Sequence, residues 1–503
     1  MPRLRRSLLL AGIVGGAACG GGDPGGGGPL FPPPVPGFSA AGGGGQRAVA
    51  GTTLPVPYTV RVTDEASQPV AGATVRWTRV AGTGSLSAGS SSTDAAGRAS
   101  VLHTLGSAPG TQAVSAMLDG SATAAPVVFS TTAVGPAPAV RVAEVAIPAD
   151  YGIHDTFVRD GLAFVCAWNT GLIIYDVGHG IRGGSPSAPV EVSRIAPLQG
   201  PVSGLAGSIH NAWWFHNPVS GERRYVFLGQ EGPGVIGSAS RGDIFVVDVS
   251  DLAHPRQVAT FGIAGAGTHN FWMDEASQVL YAAYYNGGVV AIDVSGTLSG
   301  DLAPRLIAQV RPGGMDSTYT WGVQFANGSV YASDMETGLW QFAPATAGMA
   351  VLGGGQNVLD RWTSDLWVSG AYAFTGTWGG VARLDSTGMR NAGNALKIWS
   401  LLPSGDPILT DSLILGNVGT ISDVEVSGDG QRLLLTAERG GAGGFFIYAL
   451  GDPEHPSLVT SAPEANGLHT GTFSRIGGRD FVFAARNPGQ PALVIYDVTG
   501  ALH

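Results

Sequence analysis

From about residue 140 onward the chain repeats itself, and this constrains its fold more than any other feature. Each unit offers an apolar run, a turn, a second apolar run with a polar tip, a glycine, and a third run. The first unit reads IHDTFV, LAFVCAWNT, GLIIYDV, and the second IHNAWWF, YVFLGQE, GDIFVVDV. The third reads THNFWM, VLYAAYYN, GGVVAIDV, and the last LHTGTF, DFVFAARNP, ALVIYDV. Aligning the starts of the first runs gives the anchors His154, His210, His269, Trp321, Ser364, Ser422 and His469. Their separations are 56, 59, 52, 43, 58 and 47 residues. Periods of about 40–50 residues built from short strands indicate propeller blades, lengthened here by loops. A small sheet cannot bury both faces alone, but sheets stacked around an axis bury each other's. The last unit lacks a fourth strand, and VRVAEVAI (Val140–Ile147) offers one from the other end. The expected architecture for 135–503 is a seven-bladed β-propeller closed by a strand from its own N-terminal end.

The preceding segment, 38–134, has a different period. YTVRVTD (Tyr58–Asp64) and ATVRWTRV (Ala73–Val80) alternate apolar and polar residues across the turn-rich EASQPVAG. That pattern predicts an antiparallel sandwich, so the whole chain is expected to be all-β. VRVTDEASQPVAGATVRWTRVAGTGSLS, followed by TDAAGRASVLHTLG, resembles the bacterial Ig-like domains of the invasin and intimin type. The resemblance implies a spacer or adhesion module. GLIIYDV, IFVVDVS, VVAIDVS and LVIYDV resemble the LVIVD repeat of exported bacterial proteins, which implies a propeller and little about its biochemistry.

The chain opens with Arg3, Arg5 and Arg6, an apolar stretch from Leu8 to Val14, and small residues leading to Cys19. Residues 1–19 read as an export signal, with an apolar stretch too short to span a bilayer. GAAC resembles the lipobox of bacterial lipoproteins, which implies lipidation at Cys19. Gly16 stands where that motif usually has a large apolar residue, and plain signal cleavage is the alternative. Residues 20–37, rich in Gly and Pro, read as a flexible tether. The expected location is the bacterial cell envelope: an outer-membrane lipoprotein or the cell surface, with the lipid as the only membrane contact.

Charged residues make up 13% of the chain, glycines number 79, and the formal net charge is −10. This balance favours strands and tight turns and argues against nucleic acid as a partner. No phosphate-binding loop, HExxH or GxSxG occurs. Cys166, in the apolar run AFVCAW, reads as a small core residue. Asp176, Asp248, Asp293 and Asp497 end third strands, where a carboxylate can accept N–H groups of the next turn. Arg241-Gly242-Asp243 opens a strand and reads as a chance tripeptide.

In propeller geometry the anchors and the loops after second strands share one face. The expected ligand-binding face therefore gathers His154, His210, His269, His469, Trp168, Glu231, Trp321, Asp334, Glu336, Trp378, Glu438, Arg439 and Arg486. Three readings compete for the four histidines: hydrogen-bonded locks between blades, metal ligands, and contacts to a polar ligand. Strand alternation sends Asp155, Asn211 and Asn270 away from them. The favoured function is an exported binding protein, expected to be monomeric, for an envelope or extracellular ligand, glycan or protein. The alternative is an exported propeller enzyme, an oxidoreductase or hydrolase using a divalent metal on His154, His210, His269 and His469. No catalytic residue and no cofactor is assigned.

Overall fold

The computed structural model describes residues 37–121, 124–135, 137–147, 152–314, 317–379, 392–401, 405–438, 440–487 and 490–502. Cys19, the signal, residues 20–36 of the tether and Arg439 lie outside the described residues.

The first unit is a sandwich. Gly37–Gly42, Tyr58–Thr63 and Arg98–Val101 form one sheet. Arg47–Val49, Val127–Val134, Gly110–Leu118, Thr74–Ala81 and Ser90–Ser92 form the other. The alternation places Tyr58, Val60, Val62, Val75, Trp77, Val114 and Phe129 in a shared core. Tyr58 stacks on Phe129 at 4.8 Å and its hydroxyl bonds Thr131 Oγ1 at 2.6 Å. The DAAG segment turns because Asp94 Oδ1 accepts the N–H groups of Ala96 and Arg98, while Gly97 takes a φ of +71°. Val49 also packs with Leu434, Phe445 and Tyr496, so this unit rests on the body that follows.

Seven more sheets follow, each with four antiparallel strands from its inner to its outer edge. The second adds a short fifth strand, Gly300–Asp301, paired parallel to Arg256–Phe261. Their innermost strands are Asp155–Arg159, Ile209–Phe215, Phe271–Asp274, Thr320–Ala326, Trp362–Ser369, Thr420–Val426 and Gly471–Ile476. These strands touch in chain order, and the last touches the first. In the seventh sheet the outermost strand is Val140–Ala146, antiparallel to Ala492–Asp497.

Burial follows position within each sheet. Leu162–Cys166 and Leu172–Asp176 are buried at every residue, whereas Val190–Ile195 at the rim is mostly open. Neighbouring sheets cover both faces of the inner strands, so those strands read as unbroken apolar runs rather than alternating ones. Cys166 is a buried free cysteine within such a strand.

The strand-ending aspartates cap turns. Asp176 accepts N–H groups from Gly178, His179, Gly180, Arg182 and Gly184. Burial alone would raise its pKa, but those N–H groups bring it down to about 2. Asp248, Asp293 and Asp497 accept from Ser250, Ser295 and Thr499. Asp243 of the Arg-Gly-Asp tripeptide is fully buried and accepts from Val202 and Ser203.

Candidate functional site

Four anchors, His210, Trp321, Ser364 and Ser422, fall at a β-bulge. In the second sheet Ile209 pairs with Gln230 and Asn211 with Gly229, which leaves His210 as the extra residue. Trp321 and Ser422 are extra residues in the same way. His269 and Asn270 both bond to Ala283, and His469 and Thr470 both bond to Ala485. A bulge adds a residue, redirects side chains and breaks the two-residue alternation. Asp155, Asn211 and Asn270 line a cavity that none of the four histidines lines.

Five anchors and Trp378 build a closed circuit of aromatic rings. Centroids are 5.3 Å apart for His154–His210, 4.2 Å for His210–His269 and 3.9 Å for His269–Trp321. The circuit continues through Trp321–Trp378 at 4.9 Å, Trp378–His469 at 6.4 Å and His469–His154 at 4.5 Å. His210 and His469 are 6.2 Å apart across it, so the rings close the axis at this level.

Carboxylates and amides surround this tier. His469 Nδ1 donates to Glu438, and His210 Nε2 lies 3.6 Å from Glu231. Tyr285 donates to Glu231, and Asn487 Nδ2 lies 3.2 Å from His154 Nε2. Burial, with neighbouring imidazoles, holds His154 and His210 well below the usual histidine pKa. Burial also acts on His469, but the Glu438 carboxylate outweighs it and the net shift is upward. Trp168, at a φ of +47°, packs its ring 4.0 Å from His154.

Asp334 and Arg486 serve elsewhere. Asp334 accepts the Tyr319 N–H at 2.6 Å and caps the turn at Glu336 and Thr337. Arg486 pairs with Glu144 and Glu464. Glu336 is half-buried beside that turn.

Beneath the aromatic tier lies a cavity of about 280 Å³. Most of its residues come from positions one and three beyond the anchors. The first position supplies Asp155, Asn211, Asn270, Asp365, Asp423 and Thr470, and the second supplies Phe157, Trp213, Trp272, Trp367, Glu425 and Thr472. Period-two spacing puts both positions on one face once the bulge has been passed. Phe157, Trp213, Trp272 and Trp367 form a collar with successive centroids 5.3, 5.3 and 5.5 Å apart. The cavity shares Val158, Trp367, Glu425 and Phe473 with a larger hollow of about 540 Å³ around Asp160, Asp429 and Arg475.

The carboxyl groups are poorly compensated, since no lysine or arginine among the described residues lines the cavity. Burial, then Asp423, raises Asp155 to about 7. Burial raises Asp365 to about 6 against bonds from Asp423 and Asn270. Burial pushes Asp423 and Glu425 well above the usual carboxyl range. Asn270 Nδ2 reaches Asp365 Oδ1 at 2.7 Å across the fourth sheet. That reach needs Gly322, where a Cβ would meet Asp365 Oδ1 at 2.8 Å. Asn211 Oδ1 and Thr156 Oγ1 are buried without a hydrogen-bond partner among the described residues.

Residues 45–130 match the bacterial Ig-like domain (group 1) family, and residues 239–261 and 360–383 match the LVIVD repeat. The chain joins a bacterial Ig-like domain to a β-propeller with LVIVD repeats. It is also similar to the Cps50 (Swd1) β-propeller domain of Myceliophteria thermophila. That likeness has 11% identity and a TM-score of 0.49, covering 72% of this chain and all of that one. No curated protein matches the chain.

The LVIVD matches fall within the second and fifth sheets, away from the inner-strand segments that carry the histidines. Sequence reasoning singled out the histidine tier but missed the acidic chamber and its collar. The signal was present one and three residues past five of the seven anchors, where Asp or Asn and then Trp, Phe or Glu recur.

Proposed function

We propose that this protein is an envelope-anchored binding protein whose propeller takes a positively charged organic ligand into its axial chamber. The seven sheets serve as seven blades, with Val140–Ala146 closing the ring. The Ig-like domain holds the propeller away from a lipid attached at Cys19.

The acidic chamber inside an aromatic collar carries this reading. Burial holds these carboxyls toward the protonated form, and an ammonium or guanidinium group would supply the charge that no lysine or arginine among the described lining residues provides. Indole and phenyl faces attract the same cation through their quadrupoles. Unpartnered oxygens on Asn211 and Thr156 add acceptors for its N–H groups.

Calorimetric titration with primary amines, quaternary ammonium compounds and their neutral isosteres tests the ligand class. Binding of the cations with loss of binding in Asp423→Asn is expected. Equal binding of the neutral isosteres would remove the charge argument. Fractionation of cells expressing wild type and Cys19→Ala tests the anchor, with wild type in the membrane fraction and the variant soluble.

A further inference from the structure

We infer that His154, His210 and His469 hold one transition-metal ion of the zinc, cobalt or iron class at the closed end of the channel. Their donor atoms lie within 4.8 Å of one another, and each histidine comes from a different sheet.

His210 carries the argument. It is 1% exposed, and neither ring nitrogen has a hydrogen-bond partner among the described residues. A buried neutral imidazole has one donor and one acceptor to satisfy, and a histidine kept for structure satisfies at least one of them. His269 does so through the Trp321 carbonyl. His210 has instead the 3.6 Å approach to Glu231 and two neighbouring imidazoles.

The other two rings are already oriented. His469 donates Nδ1–H to Glu438, which leaves the Nε2 lone pair free and makes it more basic. A carboxylate on the far nitrogen is the usual support of a metal-bound histidine. His154 ligates through Nδ1, which has no partner among the described residues, with the Asn487 amide turned so that its oxygen accepts Nε2–H. Imidazole nitrogens bond zinc-class ions at about 2.0–2.1 Å, so the donors need to close by on the order of 1 Å. An all-nitrogen set favours these metals over calcium or magnesium.

His210, Glu231 and His269 form a second group of the same span. Tyr285 and the Trp321 carbonyl already engage its other two members. The ion is therefore assigned to the His154, His210 and His469 group.

The test uses full-length chain purified without a histidine tag, stripped with a chelator and titrated with Co²⁺. Visible absorption from about one equivalent of bound cobalt, displaced by Zn²⁺, is expected. His210→Gln and His469→Gln should lose this signal, while His269→Gln and the remote His179→Ala should keep it. Melting profiles establish that each variant is folded. No cobalt signal from folded wild type would overturn the inference. So would retention in His210→Gln, or loss in His269→Gln with retention in His469→Gln.

Discussion

His269, ahead of the innermost strand of the third sheet, donates a 2.8 Å hydrogen bond from Nδ1 to the backbone carbonyl of Trp321 in the fourth. Ser364 reaches Ile421 O at 2.6 Å and Ser422 reaches Leu468 O at 3.2 Å in the same way. At the seam of the ring, Thr470 reaches His154 O at 2.7 Å. Three anchors and Thr470 thus tie four of the seven sheets to their next neighbours through main-chain acceptors. His269→Ala leaves a buried carbonyl without this donor and should cost about 1–3 kcal/mol. Thermal and urea melts measure this directly. An unchanged midpoint would mean that His269 locks nothing.

Gly322 keeps the chamber open on the side of the fourth sheet. Gly322→Ala would press a methyl group against Asp365 Oδ1 and break its bond with Asn270. The expected cost is about 1–3 kcal/mol of overpacking, together with weaker cation binding. Calorimetry beside a melting curve separates the two effects. Full affinity in the alanine variant would show that the Asn270–Asp365 bridge does not shape the site.

Cation binding should strengthen as pH rises. Asp365 titrates at about 6 and faces Asp423, with Asp155 and Glu425 lining the same chamber. A bound cation favours the ionised form, so association releases protons and is weakest where the carboxyls are protonated. Affinity for a quaternary ammonium ion, whose own charge is fixed, should climb between pH 5 and 8. A flat profile over that range would exclude the acidic chamber as its site.

Removing Val140–Ile147 would bare the edge strand Ala492–Asp497, which ends the seventh sheet. Destabilisation of the whole propeller, seen as one lowered transition, is expected. Loss confined to the N-terminal region would contradict closure of the ring.

Much of this architecture was legible in the sequence, because fully covered inner strands need unbroken apolar runs and GLIIYDV or IFVVDVS can hardly be anything else. The histidine tier was legible as a recurrence. The chamber was not, because strands that line it carry an extra residue, as at His210, Ser364 and Ser422. Nothing in IHNAWWF announces that His210 is bulged, and turning Asn211 away from the histidines does not by itself say that it meets a cavity. Gly322 is equally silent, since its role is the space left for Asp365. The partners of Asp334 and Arg486 lie in turns and edges whose geometry no repeat pattern specifies.

The pairing of Val140–Ala146 with Ala492–Asp497 also sets an order of events. Within the propeller, the strand synthesised first is paired with one of the last. Contacts so distant in sequence form slowly. A nascent propeller must therefore keep one seam unmade until nearly the whole chain has emerged. Until that last strand is released, the inner strands of the seventh sheet lack their outermost neighbour, and the ring has an open edge.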